Sequence, residues 1–196
     1  MLSAAPIPTT NPPQIWLSKS VSVADYRKLE AARDQKALSQ FVRDRFTERY
    51  LAPLDVEPDK KSGFTMMAIA CLMIEALESF SRGWSDTTRR SEHAFCSFFA
   101  RWDHFAEFRP YSAKFYKHIR CALLHQAETT GRWRILRRGL LLDPHTKTLN
   151  ATSFVKRLER VLKEYSNQLR DEAWDSETWK CFRKKMASVC KNAEGA

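Results

Sequence analysis

Arg120 and His125 are separated by four residues in the stretch SAKFYKHIRCALLHQAETTG, with Gln126, Glu128, Thr129 and Thr130 directly behind them. Histidine, with an ordinary pKa of about 6.5, is the side chain suited to moving a proton at neutral pH. Arginine offers a planar fork that binds phosphoryl oxygens bidentately and stabilises charge developing on them. Together these types suffice to cut RNA without a metal. A base withdraws the 2′-OH proton, an acid protonates the leaving 5′-oxygen, and a fixed cation holds the phosphoryl charge. Such a transesterification leaves a 2′,3′-cyclic phosphate and a 5′-hydroxyl. The spacing adds a condition: five helical steps rotate a side chain by roughly 140°, so the pair does not share a face of an undistorted helix. The two converge if the helix kinks or ends near Leu124, or if a second copy of the chain completes the site.

The elements that must position this pair are mostly helical. Phe115, Tyr116, Ile119, Leu123 and Leu124 make an apolar stripe at helical spacing on the Arg120 segment itself. Ser22, with Asp25 three residues on, predicts a helix start; Tyr26, Leu29, Leu38, Phe41, Val42, Phe46 and Tyr50 form its apolar side, and Pro53 and Pro58 stop it. Gly63 to Arg82 is the most apolar segment and reads as a core helix, ended by Gly83. Within it Glu75, Glu78 and Arg82 make one polar stripe. A carboxylate is rarely buried unpaired, so Glu75 or Glu78 is expected to face a cation and to orient Arg120. Ser91 opens a third helix whose aromatic face, Phe95, Phe98, Phe99, Trp102 and Phe105, suits a core or a dimer interface. Phe108-Arg109-Pro110 ends that helix.

Beyond Gly131 the period changes. Trp133–Leu136 and Leu140–Asp143 flank Arg137-Arg138-Gly139 and predict a small β-hairpin near 132–143. Alternation puts Arg132 and Arg134 outward and Trp133 and Ile135 inward. Asn150 or Thr152 then caps a long helix through Leu169, and Asp175 caps a last one carrying Trp179, Phe182, Met186 and Val189. The reading is a mainly α chain: an extended arm over 1–21, a helical domain over 22–172, and a basic helix over 173–196 packed on that domain.

A net charge of +10 over 196 residues favours a polyanionic partner, nucleic acid or an acidic protein. Five cysteines without a CxxC pair argue against a zinc site or a disulfide framework and suit a reducing cytoplasm. The N-terminus lacks the pattern of a signal peptide, and the apolar run Phe64–Ile74 is too short to span a membrane. No Gly-rich phosphate loop, HExxH or GxSxG motif is present, and no cofactor or metal is expected. His93, His104, His118 and His145 have no ligand or triad spacing.

Arg120-Cys-Ala-Leu-Leu-His125 resembles the Arg-x4–6-His motif of the HEPN superfamily, and the order of helices is similar over roughly 22–169. The resemblance implies an antiparallel helical bundle and a metal-independent endoribonuclease in which two protomers join their motifs across a dimer cleft. Arg120 and His125 are then catalytic, with Glu75, Glu78, Gln126, Glu128 and Thr129 in support. Lys117, Arg132, Arg134, Arg137 and Arg138 hold RNA. It also implies a toxin or effector of bacterial defence, with an antitoxin or nucleotidyltransferase partner. One departure is Cys121, where members often carry Asn, Asp or His; a thiol is a weaker hydrogen-bonding group. Two other readings remain open: a non-catalytic RNA- or nucleotide-binding module, and a helical adaptor binding a protein through its aromatic faces.

Overall fold

The structure is a computed structural model that describes residues 14–54 and 61–195; the arm over 1–13 and Pro58 lie outside the described residues. Before the first helix the chain doubles back: the Val23 N–H donates to the Ile15 carbonyl at 2.9 Å, and Leu17 is buried. α1 (Val23–Ala31) starts at Ser22, whose hydroxyl accepts from the Asp25 N–H while the Asp25 carboxylate accepts from the Ser22 N–H, both at 3.1 Å. The single helix expected up to Tyr50 is in fact two. Arg33 adopts a left-handed φ of 52°, and Asp34 caps α2 (Gln35–Phe46) by accepting from the Ala37 N–H at 2.9 Å. An aspartate side chain that bonds the local backbone competes with helix continuation, and here it starts a new helix. α2 widens into a π-helical segment, Thr47–Leu51, and a 3₁₀ turn, Ala52–Leu54, at Pro53.

α3 (Gly63–Arg82) is the axis of the molecule, with Met67, Cys71, Ile74 and Leu77 fully buried, and Gly83 closes it with a left-handed φ of 64°. The helix extends well past the apolar run Phe64–Ile74 in its first half: its 20 residues are long and apolar enough to cross a membrane by length and composition, and most of that stretch is buried inside the fold. α4 (Ser91–Arg101) supplies Phe95, Phe98 and Phe99 to an aromatic core that Trp102, Phe105 and Phe108 complete, so that face is interior. A 3₁₀ stretch, Asp103–Tyr111, takes in Pro110. The Arg120 helix is built of three pieces: α5 (Ser112–Phe115), a π-helical segment (Tyr116–Cys121) and α6 (Ala122–Gln126), ended by Ala127 at φ 55°. Phe115, Ile119 and Leu123 are buried, whereas Leu124 leaves the expected apolar stripe and is 36% exposed.

The expected hairpin is replaced by a three-stranded sheet. β1 (Arg134–Leu136) and β2 (Leu142–Asp143) do not pair with each other. Both flank β3 (Thr148–Asn150), β1 in parallel (Ile135↔Leu149) and β2 antiparallel (Leu142↔Leu149). The reason is burial: β3 is wholly interior, and only a central strand satisfies its backbone on both edges. Asn150 then caps α7 (Ala151–Asp171), accepting from the Ser153 N–H at 3.0 Å and donating to the Gly139 carbonyl at 2.8 Å. α8 (Glu177–Ala193) is capped by Ser176, one residue after the expected Asp175. Its Trp179, Phe182 and Met186 belong to the same core as α1, α3 and α7. The chain is mainly α.

Candidate functional site

The site is built where the π-helical segment crosses α3. A π turn carries an extra residue relative to the α pattern and rotates the residues after it, and such segments recur at functional sites. Here it turns Arg120 toward Glu75: the Arg120 Nε donates to Glu75 Oε1 at 2.8 Å, with the two side chains 16% and 13% exposed. The other carboxylate oxygen accepts from Thr87 Oγ1 at 2.7 Å and Ser91 Oγ at 3.2 Å. Glu75 is therefore fixed from both sides, by the loop after α3 and by the start of α4. Tyr116, four residues before Arg120, puts its ring under the guanidinium at 5.6 Å. Burial works against the Arg120 charge, but the Glu75 carboxylate outweighs it and holds the guanidinium above its ordinary pKa. Burial pushes the Cys71 thiol beneath the pair far upward, so it stays protonated. Burial and a hydrogen bond with Cys121 raise the Tyr116 phenol.

Glu78 shares the polar stripe but faces α4. Its Oε1 accepts from Arg82 Nε at 2.9 Å and Ser97 Oγ at 2.5 Å, with Arg101 Nη2 at 3.7 Å. It is fully buried and makes no hydrogen bond or ion pair to Arg120, so of the two carboxylates expected to orient that guanidinium it is Glu75, not Glu78, that contacts it.

His125, Gln126 and Glu128 lie exposed at the end of α6 and in the turn after it. Among the described residues, no hydrogen bond or ion pair engages the His125 ring, and none joins it to Arg120. The helix ends at Gln126 rather than near Leu124. Thr129 turns away, its hydroxyl donating to the Trp133 carbonyl at 2.5 Å.

The basic residues divide. Lys117, Arg132, Arg134 and Arg138 are exposed, while Trp133 is buried and Ile135 half-buried between them. Arg137 departs from the expected RNA-holding set: it is half-buried, donating to Thr152 Oγ1 at 3.2 Å and Ser62 Oγ at 3.0 Å. It fastens β1 to the start of α3.

Three features of the site go beyond the sequence expectation. Tyr116 enters that expectation only as an apolar position, although its spacing from Arg120 signals a ring–guanidinium pair. Thr87 and Ser91 carry no signal, being a loop residue and a helix start. His118 lacks ligand spacing, yet its Nδ1 lies 2.9 Å from Thr130 Oγ1, its carbonyl accepts from the Thr130 N–H at 3.1 Å, and Gly131 packs on its ring. Burial first, then Lys117, Lys147 and Lys114, hold this imidazole below its ordinary pKa. Among the described residues, no three His, Cys, Asp or Glu side chains come together as a metal site. Comparison with protein-family models, curated proteins and solved structures finds no match for the chain.

Proposed function

We propose that the chain is a HEPN-like helical bundle and a metal-independent endoribonuclease that works as a homodimer in the cytoplasm. Support comes above all from one observation, the Glu75–Arg120 pair. Glu75 takes its hydrogen bond from the Nε of the guanidinium, and in this reading the terminal amino groups meet a phosphoryl group. Thr87 and Ser91 hold the carboxylate, Tyr116 holds the guanidinium plane, and a cation fixed before the reaction needs little reorganisation when charge develops. The buried ion pair also keeps the cation charged at any pH at which RNA is handled.

In this reading His125 moves the protons. One copy takes the 2′-OH proton, the copy on the second protomer protonates the leaving 5′-oxygen, and Arg120 stabilises the phosphorane-like charge between them. The second protomer supplies what one chain lacks, since among the described residues no hydrogen bond or ion pair joins His125 to Arg120. A role in defence and an antitoxin or nucleotidyltransferase partner follow from the resemblance alone. A second reading, an RNA-binding module without cleavage, is favoured by the same His125: no neighbour orients its ring in the single chain.

The two separate in one experiment. Purified protein is incubated with single-stranded RNA in excess EDTA, and the ends of any products are identified. Cleavage leaving cyclic phosphates, lost by at least about a hundredfold in a folded His125→Ala variant, supports the enzyme. Equal cleavage by that variant removes His125 from the chemistry. Salt-sensitive binding with intact RNA decides for the module. Arg120→Lys should recover little, because a point charge does not replace the fork.

A further inference from the structure

Beside α3, at Ala76 and Phe80, a second cationic cluster that shares no residue with the Glu75–Arg120 pair is built into the fold. Arg45 near the end of α2, Arg49 in the π-helical segment Thr47–Leu51 and Lys185 on α8 converge on a small pocket of about 160 Å³. Its walls are aromatic: Phe46 lies 5.4 Å from Phe80 and 5.5 Å from Tyr50, ring centre to ring centre.

The hydrogen bonds of these three cations all go to neutral groups. Arg45 is only 8% exposed, and its Nη1 donates to the Leu17 carbonyl. The Arg49 Nη2 donates to that same carbonyl at 3.2 Å, and the Lys185 Nζ to the Ser85 carbonyl at 2.7 Å. Among the described residues no carboxylate forms an ion pair with any of the three. Glu48 accepts from the Lys19 N–H at 3.0 Å, and it acts on Arg45, as Asp86 acts on Lys185, through space without an ion pair. Burying a guanidinium without an anion is costly, and gathering two more cations around it adds repulsion. Burial and then Arg49 push the Arg45 pKa down to about 10, and burial lowers that of Lys185. A fold that keeps such a cluster gains most from an anion that all three can reach.

We propose that this pocket binds a phosphomonoester, its phosphate seated among Arg45, Arg49 and Lys185. A dianion offsets more of the three charges than a single carboxylate, and arginine forks match phosphoryl oxygens. The volume lies below the roughly 300 Å³ of a site for a drug-sized ligand, so it takes a phosphate and a few attached atoms. Any organic remainder leaves past Tyr50, whose ring offers it a stacking face. The site does not depend on the ribonuclease reading, since it shares no residue with Glu75, Arg120 or His125.

The test is thermal unfolding of the full chain at constant ionic strength, with inorganic phosphate, a nucleoside 5′-monophosphate, or oligoribonucleotides with and without a 5′-phosphate. Saturable stabilisation by phosphate over matched chloride is expected, reaching roughly 5–10 °C at about a hundred times Kd. A mononucleotide or a 5′-phosphorylated oligonucleotide binding tighter than phosphate identifies the source of the phosphomonoester. The exposed Arg49 is the safe position to change: Arg49→Gln should bind phosphate about tenfold more weakly, and Arg49→Gln with Lys185→Gln should lose the shift. No stabilisation beyond chloride, or an unchanged shift in the double variant, overturns the proposal.

Discussion

Glu75 serves three partners at once, accepting from Arg120, Thr87 and Ser91. Its neutral isostere keeps the shape but leaves Arg120 half-buried without a counter-charge. Glu75→Gln is therefore expected to destabilise the fold by about 2–3 kcal/mol, the scale of a charge-assisted hydrogen bond lost in a largely buried pair. At this chain length that lowers the melting temperature by roughly 5–10 °C. Adding Arg120→Gln should cost less than the sum of the single changes, and strict additivity in that double-mutant cycle would show that the pair is not coupled. His118 gives a second prediction, in pH. Its folded pKa lies below the ordinary value of about 6.5, so between the two the unfolded chain holds a proton that the fold does not. Its contribution is complete above about pH 6.5 and is lost as the pH falls through that value toward the lower folded pKa. His118→Asn should consequently lose less melting temperature than the parent between about pH 7 and 5; equal slopes would mean that other groups set the acid limb.

At the scale of elements, the two π-helical segments, Thr47–Leu51 and Tyr116–Cys121, both pack beside α3 and each carries an arginine, Arg49 exposed and Arg120 half-buried. Arg120 meets a carboxylate; Arg49 forms no ion pair among the described residues, and that difference separates the Glu75 pair from the proposed anion pocket. The turn after α6 is held just as tightly. Gly131 has a φ of 63°, and a Cβ there would lie 2.8 Å from His118 Nδ1. Gly131→Ala meets both backbone strain and the imidazole, and about 1–3 kcal/mol of stability should be lost. Urea unfolding measures it directly, and a shift under about 0.5 kcal/mol would show that the turn moves freely off the ring.

For the molecule as a whole, the charge of +10 is unevenly used. Arg45, Arg82, Arg120 and Arg157 are tied to partners inside the body or along it. Lys114, Lys117, Arg132, Arg134 and Lys147 stand exposed around His118 and β1. If RNA lies on that surface, each phosphate contact releases counterions and steepens the salt dependence by about 0.7 for a single strand. Replacing Arg132 and Arg134 by Gln should weaken binding and flatten the log–log slope by about 1.4, while cleavage at saturating RNA changes little. Affinity unchanged at low salt would move the RNA surface elsewhere.

Much of the helical frame was legible in the sequence because its determinants are local. Ser22 with Asp25, Gly83 and Asn150 act on backbone groups within four residues, and each caps the helix that its type and position indicate. The aromatic spacing of Phe95, Phe98 and Phe99 likewise signals a buried face whatever lies opposite. The need of Glu75 for a cation was also readable, since the energetic cost of burying a carboxylate does not depend on the partner's identity. What no local signal carries is which distant group arrives. The Glu78–Arg82 pair is local, four residues apart on α3, but that Glu75 takes Arg120 while Glu78 takes Ser97 depends on the phase at which helices cross, and a π turn sets that phase without a sequence signature. The sheet shows the same limit. β1 and β2 look like a hairpin because they are neighbours in sequence, yet both pair with β3, whose burial is decided by the core beneath it. The cluster of Arg45, Arg49 and Lys185, which forms no ion pair among the described residues, is tertiary throughout: Arg45 lies near the end of α2, Arg49 in the π-helical segment after it and Lys185 on α8 toward the other end of the chain, and only packing makes them neighbours.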